Sequence, residues 1–202
     1  MGYTAIVDYG VGNLKSVSNA FDYVGVKTLI TGDPVELARA DAILLPGVGA
    51  FPDAADKLRA QHLDEVVLEQ GRHKPVLGIC LGMQLLLEQG VEVRPSAGLG
   101  VVQGICERIP TDRKLPHIGW NSLRFPNHCA LFEGIDEGAC VYFVHSFSAQ
   151  RCDPTQVVAV TEHGCEVVAA VHKGNFFGCQ FHPEKSGEVG LQILKNFGAM
   201  NR

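Results

Sequence analysis

The stretch Lys74 to Glu88, KPVLGICLGMQLLLE, leaves few folds open to this chain. A short apolar run (Val76, Leu77, Ile79) stops at Gly78-Ile79-Cys80-Leu81-Gly82, and a helical pattern begins at once. The predicted local structure is a strand, a sharp turn and a helix. Glycines two residues to either side of the apex let neighbouring backbone approach closely. The apex is Cys80. A thiol immediately before a helix N-terminus has its thiolate favoured by the partial positive charge there, one physical route to a reactive cysteine. Taken alone, G-x-C-x-G is equally compatible with a buried structural cysteine, so the rest of the chain has to decide.

The segments before this turn alternate between strand and helix. Thr4 to Val7 is β-branched and apolar and runs into the glycine-rich turn Asp8-Tyr9-Gly10-Val11-Gly12-Asn13. Asn13 is a good helix N-cap, Leu14, Val17, Phe21 and Val24 form one apolar face, and Gly25 ends the helix. The turn is no dinucleotide fingerprint, because Lys15 stands where a third glycine belongs. Lys27 to Ile30 is a second strand, and Asp33-Pro34-Val35-Glu36 opens a short helix with a cap, a first-position proline and a capping glutamate. Ala42 to Leu45 is a third strand ending at Pro46-Gly47-Val48-Gly49, and one helix is expected from about Pro52 to Glu69. Alternation with wholly apolar strands predicts a parallel sheet covered by helices on both faces. In such a sheet ligands collect outside the carboxyl ends of the strands, so Gly10 to Asn13, Pro46 to Gly49 and Cys80 are expected on one rim.

After Glu88 the pattern changes. Leu99–Ile109, Leu123–Phe125, Ala139–Phe147, Val157–Thr161, Val167–His172 and Phe176–His182 are strand-like with little helix between them. Glu162-His163-Gly164 and Lys173-Gly174-Asn175 are turn signals at short spacing, so an antiparallel portion is expected in this half. A helix from about Ser186 to Phe197 closes the chain. The fold class is therefore α/β: an open, mostly parallel sheet with helices on both faces and an antiparallel C-terminal portion. With 202 residues, 46% of them hydrophobic, residues 1–202 are expected to form a single domain.

Charge and cysteine usage narrow the function. A net charge of -5 with scattered Lys and Arg argues against a nucleic-acid partner. No run approaches a membrane span and the N-terminus lacks a secretory pattern, so a cytoplasmic location is expected. Seven cysteines without any C-x-x-C support neither a disulfide framework nor a zinc site, and neither metal nor cofactor is expected.

A thiol nucleophile needs a base, and the base needs a group that holds its tautomer. Phe181-His182-Pro183-Glu184 supplies both if the segment is extended, because residues two apart then share a side. The other histidines, His117, His145 and His163 among them, show no such companion in the sequence. Acyl transfer also needs oxyanion donors. The amide of Leu81, which follows the nucleophile, is one candidate, and the loop Gly47, Val48 and Gly49 is another, since its glycines let a peptide turn an N–H inward.

GICLGMQLL with FHPEKS near the C-terminus resembles the triad glutamine amidotransferases, also called class I. The opening DYGVGNLKSV, the loop LPGVGAF, the segment PHIGWN and the run YFVHSF narrow the resemblance, over nearly the whole chain, to the glutaminase subunits of imidazole glycerol phosphate synthase. The resemblance implies a Cys80, His182, Glu184 triad that hydrolyses glutamine. It further implies that the ammonia passes through a channel to a (β/α)₈-barrel cyclase subunit, as a heterodimer in histidine biosynthesis. On the same ground Gln84, Glu92 and the backbone of His145, Ser146 and Phe147 would touch glutamine, and Asn13, Trp120, Tyr142 and Lys185 would face the partner. Two other readings are the glutaminase of pyridoxal phosphate synthesis, which lacks the GWN segment and the GNLKSV opening, and a cysteine-elbow stress or redox protein.

Overall fold

The computed structural model describes residues 2–200. Strands β1 (Thr4–Val7), β2 (Thr28–Thr31), β3 (Ala42–Leu45) and β4 (Val76–Ile79) alternate with helices α1 (Leu14–Tyr23), α2 (Pro34–Arg39), α3 (Phe51–Ala60) and α4 (Leu63–Gly71). Helix α5 (Leu81–Leu85) leads into β5 (Leu87–Gly90), β6 (Ser96–Ala97) and β7 (Val102–Arg108). There follow β8 (His117–Ser122), β9 (Cys140–His145), β10 (Phe147–Gln150), β11 (Val157–Glu162), β12 (Glu166–Lys173), β13 (Phe176–Cys179) and α6 (Gly187–Ala199).

The main sheet has seven strands in the order β11-β12-β13-β4-β3-β1-β2. Strands β2, β1, β3, β4 and β13 are mutually parallel, and β12 and β11 add an antiparallel edge through the two predicted turns. Strands β1, β3, β4 and β13 are buried on both faces, whereas β2 at the sheet edge is half-exposed. Ile6, Leu44, Leu77 and Ile79 face α1 and α6 through Val17, Phe21, Ile193 and Phe197, while Ala5, Val7, Ile43, Leu45 and Val76 face α2, α3 and α4 through Leu37, Leu58, Leu63 and Val67. Truncating a side chain as buried as Phe21 or Phe197 to alanine costs about 3–5 kcal/mol. Two smaller sheets, β10-β7-β5-β6 and the hairpin β8-β9, stand beside this one.

Four expectations need correction. The expected helix over 52–69 is two helices, broken at His62, whose φ is 54°. Leu58 and Leu63 both pack into one core cluster, but five residues turn a helix about 140° off that face, so a left-handed residue resets the phase. The helix after Cys80 stops at Leu85, and Leu87 is already in strand. Leu85, Leu86 and Leu87 are all buried, and an unbroken apolar run carries no period to mark where helix gives way to strand. Around Leu123–Phe125 only an isolated bridge forms, Arg124 with Val160. Finally, β13 ends at Cys179, and Pro183–Lys185 is a single 3₁₀ turn.

Candidate active site

Because β3, β4 and β13 are parallel neighbours, their carboxyl ends reach one rim together, and β1, beside β3, brings its own end there. Its glycine turn touches the β3 loop, since a Cβ on Gly12 would lie 3.3 Å from Pro46 Cβ. The register pairs Cys179 with Ile79, and the Cys80 amide donates to the Cys179 carbonyl at 2.7 Å, so residues just past β13 arrive beside Cys80.

Cys80 has φ 54° and ψ -108°, a strained elbow for a non-glycine residue. Its flanking glycines are sterically required: a Cβ on Gly78 would lie 2.6 Å from the Gly82 backbone, and one on Gly82 would collide with the Leu45 carbonyl. Cys80 is 8% exposed, at the floor of a cleft of about 360 Å³. Cys106, Cys129, Cys152, Cys165 and Cys179 have their thiols pushed up by burial, Cys152 to about 11, so they stay protonated near neutrality. All seven cysteines are free.

His182 Nδ1 lies 2.8 Å from Glu184 Oε1, and the ring lines the same cleft as Cys80. Burial acts to lower the His182 pKa, but the hydrogen bonds and charges of Cys80 and Glu184 outweigh it and raise it to about 9. The pair forms as expected, but for a different reason. The 3₁₀ turn at Pro183, not an extended strand, folds Glu184 back onto Nδ1 and leaves Nε2 for the thiol. The His182 amide donates to the Tyr142 carbonyl, Ser186 Oγ donates to the His182 carbonyl at 2.7 Å, and the Tyr142 amide donates back to Ser186 Oγ at 3.0 Å. This ring ties the imidazole to β9.

The cleft is also lined by Val48, Gly49, Leu81, Gln84, Glu92, Pro116, Val144, His145, Ser146, Phe147 and Lys185. Sequence reasoning missed Pro116 and Val144, which are apolar and carry no chemical signal. Gln84 is buried, not on a helix surface, and its amide donates to the Phe147 carbonyl and to Gln180 Oε1, both at 3.0 Å. Glu92 Oε2 accepts from the Phe51 amide at 2.9 Å, capping α3. His117 and His145 do have companions. His145 Nδ1 lies 2.9 Å from the Phe147 carbonyl and Nε2 lies 3.2 Å from His117 Nδ1, while His117 Nε2 lies 2.9 Å from Asn121 Oδ1 and His163 stacks on His117. Burial lowers the His145 pKa to about 4, so it is neutral at physiological pH.

The oxyanion candidates differ in freedom. Leu81 begins α5, where first-turn amides have no partner within the helix. The loop is held at its base by Tyr9, whose hydroxyl donates to the Pro46 carbonyl at 2.7 Å, and Gly47 is wedged against Leu81 and Gly82. Beyond it, Val48 is 47% exposed, and a Cβ on Gly49 (φ 105°) would meet nothing within 4 Å. Of the four interface candidates, three cluster: Trp120, 56% exposed, meets Tyr142 edge-on at 6.2 Å, and Lys185 Nζ lies 6.0 Å from the Tyr142 ring. Asn13 is exposed and caps α1 through its side chain. Among the described residues no group of three or more His, Cys, Asp or Glu is arranged to hold a metal ion.

Residues 5–200 match the family model Glutamine amidotransferase class-I. The chain is 47% identical over 194 residues to the imidazole glycerol phosphate synthase subunit HisH of Bacillus thuringiensis, covering 96% of this chain and 92% of that one. It is 46% identical over the same length and coverage to HisH of Bacillus anthracis. Among solved structures, PurLQS from Thermotoga maritima superposes with a TM-score of 0.77 at 22% identity over 97% of both chains. A glutamine amidotransferase superposes with a TM-score of 0.75 at 20% identity, covering 98% of this chain and all of that one.

Proposed function

This chain belongs to the class-I glutamine amidotransferases, and from that premise we propose that Cys80, His182 and Glu184 hydrolyse glutamine to glutamate and ammonia. The observation that carries the reading is the thiol at a strained strand-end elbow, in one cleft with an imidazole that Glu184 holds. His182 takes the Cys80 proton, and the thiolate attacks the side-chain carboxamide carbon. The oxyanion is held by the Leu81 amide and an N–H of the Gly47–Gly49 loop. The imidazolium gives its proton to the amide nitrogen, the C–N bond breaks, and ammonia leaves a thioester on Cys80. Water, losing a proton to His182, then releases glutamate and restores the thiol. Gln84, Glu92 and the His145–Ser146–Phe147 backbone border the bound glutamine.

The chain is the glutaminase subunit of an imidazole glycerol phosphate synthase, working as one domain in the cytoplasm, and its partner is a (β/α)₈-barrel cyclase that receives the ammonia. The exposed Trp120–Tyr142–Lys185 cluster, with Asn13, supports a docking face at the cleft rim. The test is Cys80→Ala in the reconstituted complex. Glutamine-dependent synthesis is abolished and ammonia-dependent synthesis persists, and glutaminase activity surviving in a clean preparation would end the assignment.

A further inference from the structure

Gln180 has no part in the triad, yet it is wholly buried and touches the sulfur: its Nε2 lies 3.8 Å from Cys80 Sγ. The direction in which its amide points follows from a main-chain group. The Phe147 carbonyl can only accept, so the Gln84 side-chain atom 3.0 Å from it is the NH₂. That same NH₂ lies 3.0 Å from Gln180, which must therefore present its oxygen to Gln84 and its own NH₂ to the thiol. We propose that Gln180 is a catalytic residue that donates a hydrogen bond to the Cys80 thiolate, with Gln84 the positioning residue that fixes which end of the amide faces the sulfur. The proposal rests on the reading of Cys80 as nucleophile.

A buried donor aimed at the sulfur stabilises the charged form relative to the thiol, and so raises the fraction of reactive thiolate at a given pH. It complements His182, which removes the thiol proton: the amide donor acts on the charge that the sulfur carries before it attacks, and keeps its own hydrogens throughout. Other titratable or charged groups act on the same thiol: His182 with Glu184 behind it, the Tyr9 hydroxyl, Cys106, and Glu92 and Lys185 lining the cleft. All of them remain in the variants below, so a difference between variants belongs to position 180 or 84.

The test follows iodoacetamide labelling of Cys80 in the full chain against pH by peptide mass spectrometry, with thermal unfolding as a check of fold. Gln180→Leu moves the midpoint of the labelling curve up by about one pH unit. Gln180→Glu, which keeps the shape but turns a carboxylate oxygen toward the sulfur, moves it further in the same direction. Gln84→Leu, which releases the amide, produces a smaller upward shift and carries the test if Gln180→Leu does not fold. A folded Gln180→Leu chain whose curve overlays the wild type, or which loses turnover with the midpoint unmoved, overturns the proposal. A wild-type Cys80 that labels no faster than Cys140 overturns the nucleophile assignment instead.

Discussion

The two sides of the cleft are built to opposite tolerances. The elbow of Gly78–Gly82 is determined by contact on every side: backbone of Leu45, Gly82 and Met83 fills the space a Cβ would need, and Cys80 is held at φ 54°. The facing loop is anchored only at its ends, by Tyr9 on the Pro46 carbonyl and Glu92 on the Phe51 amide, and Val48 and Gly49 between them are exposed. The nucleophile must be fixed because its attack geometry tolerates little displacement. A loop with glycines on both sides of Val48 leaves two peptide orientations accessible, of which one aims an N–H at the oxyanion. On the reading proposed above, a partner docked on the Trp120–Tyr142–Lys185 side would stabilise the productive orientation and so confine ammonia release to the complex.

The contrast can be broken most forcefully at the elbow. Gly82→Ala drives a methyl into the Leu45 carbonyl and is expected to cost at least about 3 kcal/mol, read as a collapse of the thermal unfolding temperature. A Gly82→Ala chain with wild-type stability would mean the elbow is not tightly packed. On the loop side, Val48→Pro removes an N–H and should lower glutaminase turnover of the activated complex by about 10²–10³ while leaving unfolding and complex formation unchanged. Full activation in this variant would transfer the oxyanion role elsewhere, and equal glutamate release by the free chain and the liganded complex would remove the switch altogether.

Protonation sharpens the comparison next. The His182 pKa is raised to about 9, so between pH 6.5 and 9 the folded chain keeps a proton on this ring that the unfolded chain releases, and stability falls as pH rises through that window. His145, lowered to about 4, acts in the other direction: between pH 6.5 and 4 the unfolded chain takes up a proton that the folded chain refuses, so stability falls as pH falls. Unfolding temperature is expected to peak near pH 6–7, and His182→Gln should flatten the alkaline limb alone, whereas Val48→Pro changes neither limb. The smallest expected effect is Gly49→Ala. With open space around it, this substitution meets only the backbone strain of φ 105°, about 1 kcal/mol, against the much larger loss at Gly82.

How much of the site could be read from the sequence differed by residue. Cys80, His182 and Glu184 stood out because nucleophile, base and orienting group are chemically unusual in short glycine- or proline-marked turns, and the parallel sheet brings those turns together. Gln180 did not stand out, although it is a lone polar residue between Cys179 and Phe181 in an apolar strand end, a signal that reads as readily as an exposed edge position. The His117–His145 pair was equally hidden, since it joins two strands of a hairpin whose register no local pattern states.

The sequence by itself determined the alternation of strand and helix, the glycine elbow, the capped starts of α1 and α2 and the two turns of the antiparallel edge, because each follows from the backbone freedom or periodicity of neighbouring residues. Only the tertiary structure decided where α5 yields to β5, why α3 and α4 are separate helices, and which end of the Gln180 amide meets the thiol. The last of these depends on a partner 96 residues away, Gln84 reaching Gln180, and a local propensity has no access to a hydrogen bond whose acceptor arrives from so distant a part of the chain.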